Sequence, residues 1–419
     1  MWDSYSPAAL TLPLGRVETP ADAARLAEVV RAAAESRTPI YPLGGETSLS
    51  CGALGTPPGV GLSLRNLNKV VDYPYNDSTI TVEAGVTLGE LQRLVGAHRQ
   101  RLPIDAPQPE QATVGGLVAT NSNGARRYRF GTVRDYVIGV SAVDGRGVPF
   151  TGGGRVVKNV AGYDFCKLLT GSMGTLAVVT QVTLKLVPAP ETTAFAAIDL
   201  PDAATAEKYL AALVHTKTTP TAIELLTGPE WANDPALGAV DAARPFRLVV
   251  GYEGTPAQID WLLNRITEEW KLLAAPTPRL ITGDAAEPLW DRLREFPAGD
   301  AQTVVLRVGL LPSGVVPFCE AVLSSDPQAS IQAHAGDGAV FVRCSPRSLP
   351  SIASDVQKLW RPLCQKHQGH LVVWQQPQDA GWGRDVAIGD RPGEQRLMEM
   401  VKKQFDPHGI LNPGRFVFG

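Results

Sequence analysis

The sequence predicts an α+β protein of two domains followed by a C-terminal segment. Three observations lead there. From Pro107 to Pro190 the chain is dense in glycine and small polar residues, yet it keeps regular apolar strand and helix signals. At Pro188 and Pro190 the texture changes, and residues 191–385 alternate strands and helices with few glycine clusters, as helices packed on an antiparallel sheet would. Residues 386–419 then read as a helix and a turn-rich ending, Phe405 to Gly414.

The elements follow in chain order. Thr19-Pro20 opens a helix, with a hydroxyl cap, proline in the first turn and Asp22 near the positive helix end. Leu26, Val29, Val30 and Ala33 give it an apolar face, and Arg37-Thr38-Pro39 ends it. Ile40–Pro42 is extended and runs into the turn Leu43-Gly44-Gly45-Glu46-Thr47-Ser48. Gly61–Leu64 and Ser78–Val86 read as strands, Leu88–Gln100 as an amphipathic helix, Tyr136–Val143 as a strand turning at Asp144-Gly145. Ala161–Leu169 reads as helix and Thr175–Leu186 as a long strand. In the second domain, Phe246–Tyr252, Thr303–Val308 and Val340–Cys344 read as strands and Ala257–Lys271 as a helix.

Composition narrows the function. With 419 residues, 44% of them hydrophobic and 19% charged, the chain can bury a large core and is not a disordered one. A net charge of −3 argues against a nucleic-acid partner, whose footprint is a clustered basic surface. No apolar run is long enough to span a bilayer, and the N-terminus lacks the basic and apolar regions of a secretory signal. Five scattered cysteines with no Cys-x-x-Cys fit a reduced, cytoplasmic protein and offer no ligand set for an iron–sulfur cluster.

Three donor-rich turns carry the chemistry: Gly44-Gly45-Glu46-Thr47-Ser48, Thr113-Val114-Gly115-Gly116 at the start of a helix, and Gly171-Ser172-Met173-Gly174-Thr175 before a strand. Glycine lets backbone approach a ligand closely, and convergent N–H groups suit a pyrophosphate. One glycine pair is more often a structural turn, so the argument rests on recurrence. Neither Gly-x-Gly-x-x-Gly after a strand nor a Walker A sequence is present, which disfavours the Rossmann and P-loop solutions.

The order of these motifs resembles the FAD-binding domain of the vanillyl-alcohol oxidase, or PCMH-type, flavoproteins. The matching pieces are Pro42 to Ser48, Val82 to Val86, Ala112 to Gly116, Thr120-Asn121, Arg134-Asp135, Lys158-Asn159, Ala161 to Asp164 and Gly171 to Leu176. Within that family the whole chain is similar to the E-type FAD-binding subunit of bacterial glycolate oxidase, and the ending Phe405 to Gly414 agrees with the glycolate and D-lactate oxidase branch. The resemblance implies a two-subdomain FAD-binding domain over residues 1–190, an α+β cap domain with an antiparallel sheet over 191–385, and a tail, 386–419, that packs back on the FAD domain. It implies that the turn Pro42, Leu43, Gly44, Gly45, Glu46, Thr47 and Ser48 and the turn holding Thr113, Gly115 and Gly116 hold the pyrophosphate, and that Pro107 is also a cofactor-binding residue. Thr120, Asn121 and Gly124 would lie along the flavin and ribityl chain, Gly174 and Val179 at the adenosine half, and Asn412 near the isoalloxazine. The first glycine turn has no histidine for covalent attachment, so a non-covalent FAD is expected.

The cap departs from the pattern. Hydroxy-acid dehydrogenases of this branch carry His-x-Gly-Asp-Gly-Asn-x-His and, further on, Glu-His-Gly, which orient substrate and in several members bind a divalent metal. Here the stretch reads His334-Ala335-Gly336-Asp337-Gly338-Ala339-Val340-Phe341, and no Glu-His-Gly follows. Phenylalanine can neither ligate a metal nor accept a proton. His334 is the remaining catalytic candidate, set against its role as a turn residue, and no metal is expected. Cys364, His367 and His370 lack a fourth zinc ligand. Arg126, Arg127, Arg129 and Arg134 could face phosphates or a substrate carboxylate, or form a solvated face with local ion pairs. Asp337 is a weak general-base candidate, and Trp374 and Trp382 read as packing residues.

The expectation is therefore an FAD-dependent oxidoreductase acting on CH–OH donors as a subunit of a glycolate (2-hydroxy acid) oxidase in glyoxylate metabolism. It would support or relay electrons from a catalytic flavoprotein subunit to an iron–sulfur subunit, in the cytoplasm or peripherally at the inner membrane through those partners. Two alternatives stand beside it. One is a self-sufficient D-2-hydroxy acid dehydrogenase, its substrate carboxylate held by Arg307 or Arg384; the other is an assembly subunit whose FAD is structural.

Overall fold

The computed structural model describes residues 12–53, 57–154, 162–240, 245–389 and 392–416. Lys158, Asn159 and Ala161, named in the sequence motifs, lie outside them. The chain forms two compact units: residues 1–123, 132–189 and 381–419 in the first, and residues 124–131 with 190–380 in the second.

The first unit contains two principal sheets. Leu14–Glu18, Gly59–Ser63 and Ile40–Leu43 form a parallel sheet with Gly59–Ser63 at its centre. Its helix begins at Ala23, later than Thr19 suggested, because the Asp22 carboxylate accepts the Arg25 N–H at 2.8 Å and sets the N-cap. Leu26, Ala27, Val30, Ala33 and Ala34 then share the buried face, and Arg37 closes the helix in the left-handed region. The second sheet is antiparallel, in the order Val70–Asp72, Thr79–Glu83, Ala177–Lys185, Val137–Asp144, Pro149–Gly153. Its central strands bury Ile80, Val82, Val182 and Leu184, each worth about 1.5–3 kcal/mol of apolar burial. The helix Leu88–Gly96, capped by Thr87, packs Leu88, Leu91 and Val95 inward. It stops short of Gln100, because Gln100–Arg101 pairs with Val187–Pro188 instead.

The tail closes this unit. Ile40 donates its N–H to Ile410 O at 2.7 Å and Asn412 donates to Ile40 O at 2.8 Å, so the chain end lies beside the parallel sheet. A buried ion pair fixes the turn: Lys402 Nζ donates to Asp406 Oδ2 at 2.6 Å, Thr175 O at 2.6 Å and Leu411 O at 2.9 Å. Asp406 in turn accepts the N–H groups of Ile410 and Leu411. The Asp-Pro-His-Gly sequence is thus a carboxylate-organised turn presenting Asn412.

The second unit is an eight-stranded antiparallel sheet. Its strands run Arg279–Thr282, Thr192–Leu200, Phe246–Gly254, Ala222–Thr227, Ser330–His334, Ala339–Arg343, Val305–Gly309 and His370–Gln375. The central strands Ala222–Thr227 and Ser330–His334 are buried throughout, which explains their lack of clean polar alternation. Helices Ala203–Leu213, Pro256–Leu272 and Val315–Ser325 supply apolar faces to it.

Candidate functional site

In the first unit, the strand end at Leu43 delivers Gly44–Ser48 beside the segment Gln111–Gly116. A Cβ on Gly45 would lie 1.7 Å from Gln111 O, and one on Gly44 would lie 2.4 Å from Thr113 Oγ1. These glycines are therefore required for the two turns to interlock, as much as for a ligand to approach. Thr113 caps the helix Val114–Thr120 and accepts the Gly116 N–H at 3.2 Å. Val114 N–H goes to Val86 O and Gly115 N–H to Ala84 O, both at 2.8 Å. The second turn thus spends its backbone donors internally and presents bare Cα surface rather than an anion nest. The third turn behaves alike: Gly171, Ser172, Met173 and Thr175 donate to Val118, Leu169, Ala119 and Ser172. Met173 and Gly174 hold positive φ of 54° and 66° there. Asn412 Nδ2 donates to Met173 O at 2.6 Å, tying the tail to this turn.

These pieces surround one cleft of about 890 Å³, open to solvent. Of the residues expected from sequence, its wall holds Pro42, Gly44 to Ser48, Thr113, Gly115, Gly116, Thr120, Gly174, Val179 and Asn412. Leu43 is not in the wall; it packs in the core with Leu12 and Tyr41. Pro107 and Asn121 are also outside it, Asn121 serving as the left-handed C-cap of Val114–Thr120. Gly124 belongs to the segment that groups with the second unit. Sequence reasoning missed Ala84, Ala119, Ser172, Met173, Val178 and Arg415, all in the wall. Ala84, Ser172 and Met173 stood inside recognised motifs without being assigned to the site, Ala119 and Val178 stood next to assigned residues, and Arg415 stood one residue beyond the motif ending at Gly414.

The cleft fits a flavin dinucleotide. Its wall mixes aliphatic carbons with hydroxyls, and it holds a buried guanidinium, Arg415, whose Nε and Nη1 find no partner within the protein.

In the second unit, His334 ends its strand directly opposite Glu224, and Ala339 faces it across the hairpin. Its Nδ1–H donates to Glu224 Oε1 at 2.7 Å, and Gln332 Nε2 donates to Glu224 Oε2 at 2.9 Å. Both Glu224 and Gln332 are fully buried, and His334 is 1% exposed. Phe341 packs edge-on against the imidazole, with ring centroids 5.8 Å apart. Burial pulls the His334 pKa down, but the charge and hydrogen bond of Glu224 and the charge of Asp337 outweigh it and hold it above the ordinary value. Asp337 is raised by burial against the opposing pull of His334 and Arg127.

The arginines of 124–131 serve this unit. Arg126 pairs with Glu253 at 2.7 Å and stacks on Trp290, Arg127 pairs with Asp337 at 3.2 Å, and Arg129 donates to Thr219 O. Gly336 lies so close to the Tyr128 ring that a Cβ would sit 2.4 Å from it. The His-x-Gly-Asp-Gly sequence is here a hairpin turn gripping that segment. Of the other candidates, Arg307 stacks on Trp374 and Arg384 donates to Gln395. Burial pushes the Cys364 thiol up to about 12, the reverse of what a ligating thiolate needs.

Comparison with known proteins agrees with this geometry. A family model described as "FAD binding domain" matches residues 15–152, and "FAD linked oxidases, C-terminal domain" matches 390–416. The chain is 34% identical to glycolate oxidase subunit GlcD of Bacillus subtilis, over 95% of this chain and 88% of that protein. Glycolate oxidase subunit GlcE of Escherichia coli is 37% identical, over 39% of this chain and 47% of that protein. The solved structure of p-cresol methylhydroxylase superposes with a TM-score of 0.71, at 17% identity, over 97% of this chain and 91% of that one. The chain thus belongs to the FAD-linked oxidase family of PCMH-type fold, and it is an FAD-dependent oxidoreductase. The expectation that the whole chain follows the E-type glycolate oxidase subunit is corrected: the likeness to GlcE covers 39% of the chain, whereas the likeness to GlcD covers 95%.

Proposed function

We propose that this chain is a flavoprotein subunit of a multi-subunit glycolate or related 2-hydroxy acid oxidase, holding FAD non-covalently and relaying electrons rather than oxidising substrate itself. Bound FAD supplies two-electron uptake and one-electron release. The chain's own residues bind and orient it: the interlocked glycine turns shape the wall, and Asn412, held on Met173 O, brings the tail to it.

One observation carries the relay reading. The imidazole that could act on substrate is buried against Phe341 and paired with Glu224, with Ala339 opposite. A base or metal ligand needs access to its substrate or ion, and this buried side chain has none. The partners are a second flavoprotein with an intact histidine set and an iron–sulfur subunit, with any contact to the inner membrane made through them. Among the described residues no helix is long and apolar enough to cross a membrane.

The test is purification of the tagged chain from its native cells. The reading expects associated iron and acid-labile sulfide, more than one flavin per copy of this chain, and glycolate or D-lactate turnover that a Gly45→Val change here abolishes. A preparation with one flavin and no iron that turns over fully refutes it. The self-sufficient D-2-hydroxy acid dehydrogenase is the second reading, and the match to GlcD along almost the whole chain is what favours it.

A further inference from the structure

We propose that Arg415 is the cation that receives the FAD diphosphate, so that the C-terminal tail completes the cofactor site by supplying its positive charge. The wall of the cleft contains two charged side chains among the described residues, Glu46 and Arg415. The glycine turns of 113–116 and 171–175 spend their backbone donors on the protein. The turn of 44–48 can offer backbone N–H dipoles but no net positive charge, so the cation in place for a dianionic diphosphate is Arg415.

Three further facts point the same way. Arg415 is 3% exposed, and Nε and Nη1 have no hydrogen-bond partner. A buried guanidinium without partners is a costly arrangement that an anion relieves. The ionisable groups acting on it are Cys51 and Tyr41, and burial pushes the Tyr41 phenol up to about 12, so that neighbour is neutral near pH 7. The backbone places it at the right part of the site. A Cβ on Gly52 would lie 3.1 Å from Arg415 O, so Arg415 abuts the loop that begins with Gly44-Gly45-Glu46-Thr47-Ser48. The diphosphate is the anionic part of oxidised FAD, and a planar guanidinium fits two of its oxygens at once.

The test uses the full chain, stripped of flavin and titrated with FAD, ADP and riboflavin as separate probes. In Arg415→Met, affinity for FAD and for ADP is expected to fall roughly 30-fold or more, the range for truncating one partner of a buried charge pair. Riboflavin, which has no phosphate, is expected to bind unchanged, and Arg415→Lys is expected to recover part of the ADP affinity. Thermal unfolding separates this from a structural role. Without FAD, Arg415→Met is expected to be more stable than the unaltered chain, because an unpaired buried charge is gone; with saturating FAD it is expected to be less stable. Equal destabilisation in both forms overturns the proposal. So does a loss of riboflavin binding with ADP binding spared, which would place the arginine on the flavin ring.

Discussion

The cleft of the first unit and the polar cluster of the second are both built from buried polar groups, but they use them oppositely. In the cleft, Arg415 keeps two guanidinium nitrogens unsatisfied in a wall open to solvent. In the cluster, Glu224 pairs with both His334 and Gln332, and the atoms that lack partners there, His334 Nε2, Gln332 Oε1 and Asp337 Oδ2, are enclosed beside Ala339 and Phe341 and line no part of the cleft. An unsatisfied group facing space invites a ligand, whereas a pair folded in on itself holds strands together. One region keeps the capacity for chemistry that the other has converted to architecture.

The contrast can be broken most severely at the glycine turns. Gly45→Val forces a side chain onto Gln111 O, and flavin absorbance per protein is expected to fall at least tenfold, a clash no neighbouring rotamer can relieve because the obstacle is backbone. A variant that stays fully yellow would remove the interlocked turns from the account.

Next comes the tail. Asp406→Ala leaves Lys402 buried and unpaired and frees the N–H groups of Ile410 and Leu411. Breaking such a pair costs about 3–5 kcal/mol, measured by denaturant unfolding. A loss under about 1 kcal/mol, the range of an exposed pair, would show that the turn does not depend on it.

The cluster gives a subtler test. His334→Gln keeps a donor for Glu224 and is expected to leave flavin content and complex turnover within about twofold, whereas removing a catalytic imidazole costs roughly 10²–10⁴. Its signature is in pH. The folded-state pKa of His334 is raised, so the stability it contributes is full below the unfolded value near 6.5 and is lost as pH rises through the folded value. Asp337, also raised, adds a slope of the same sign. The Gln variant is expected to flatten this dependence above pH 6; an unchanged slope would show that His334 does not carry it. Smallest is Asp22→Ala, which removes an exposed helix cap and is expected to cost about 0.5–2 kcal/mol with no change in flavin binding.

Much of this was legible in the sequence. The glycine turns, the strand runs between them and the change of texture at Pro190 mark out the FAD domain, because local turn chemistry and periodicity act over short spans. Less legible were facts that depend on distant pairing. Glu224 meets His334 across paired strands 110 residues apart, and nothing local to either residue announces it. Arg415 is buried because Leu411 pairs beside Ile40, which a lone arginine in a tail does not reveal. The turns at 113–116 and 171–175 carry donors, but only the fold shows that Ala84, Val86, Val118 and Ala119 consume them.

The most direct measurement is the visible spectrum of the isolated, FAD-loaded chain after anaerobic addition of glycolate or D-lactate. With the imidazole enclosed by Glu224 and Phe341, the flavin is expected to remain oxidised until a second flavoprotein is supplied. Prompt bleaching of the chain alone would contradict the account.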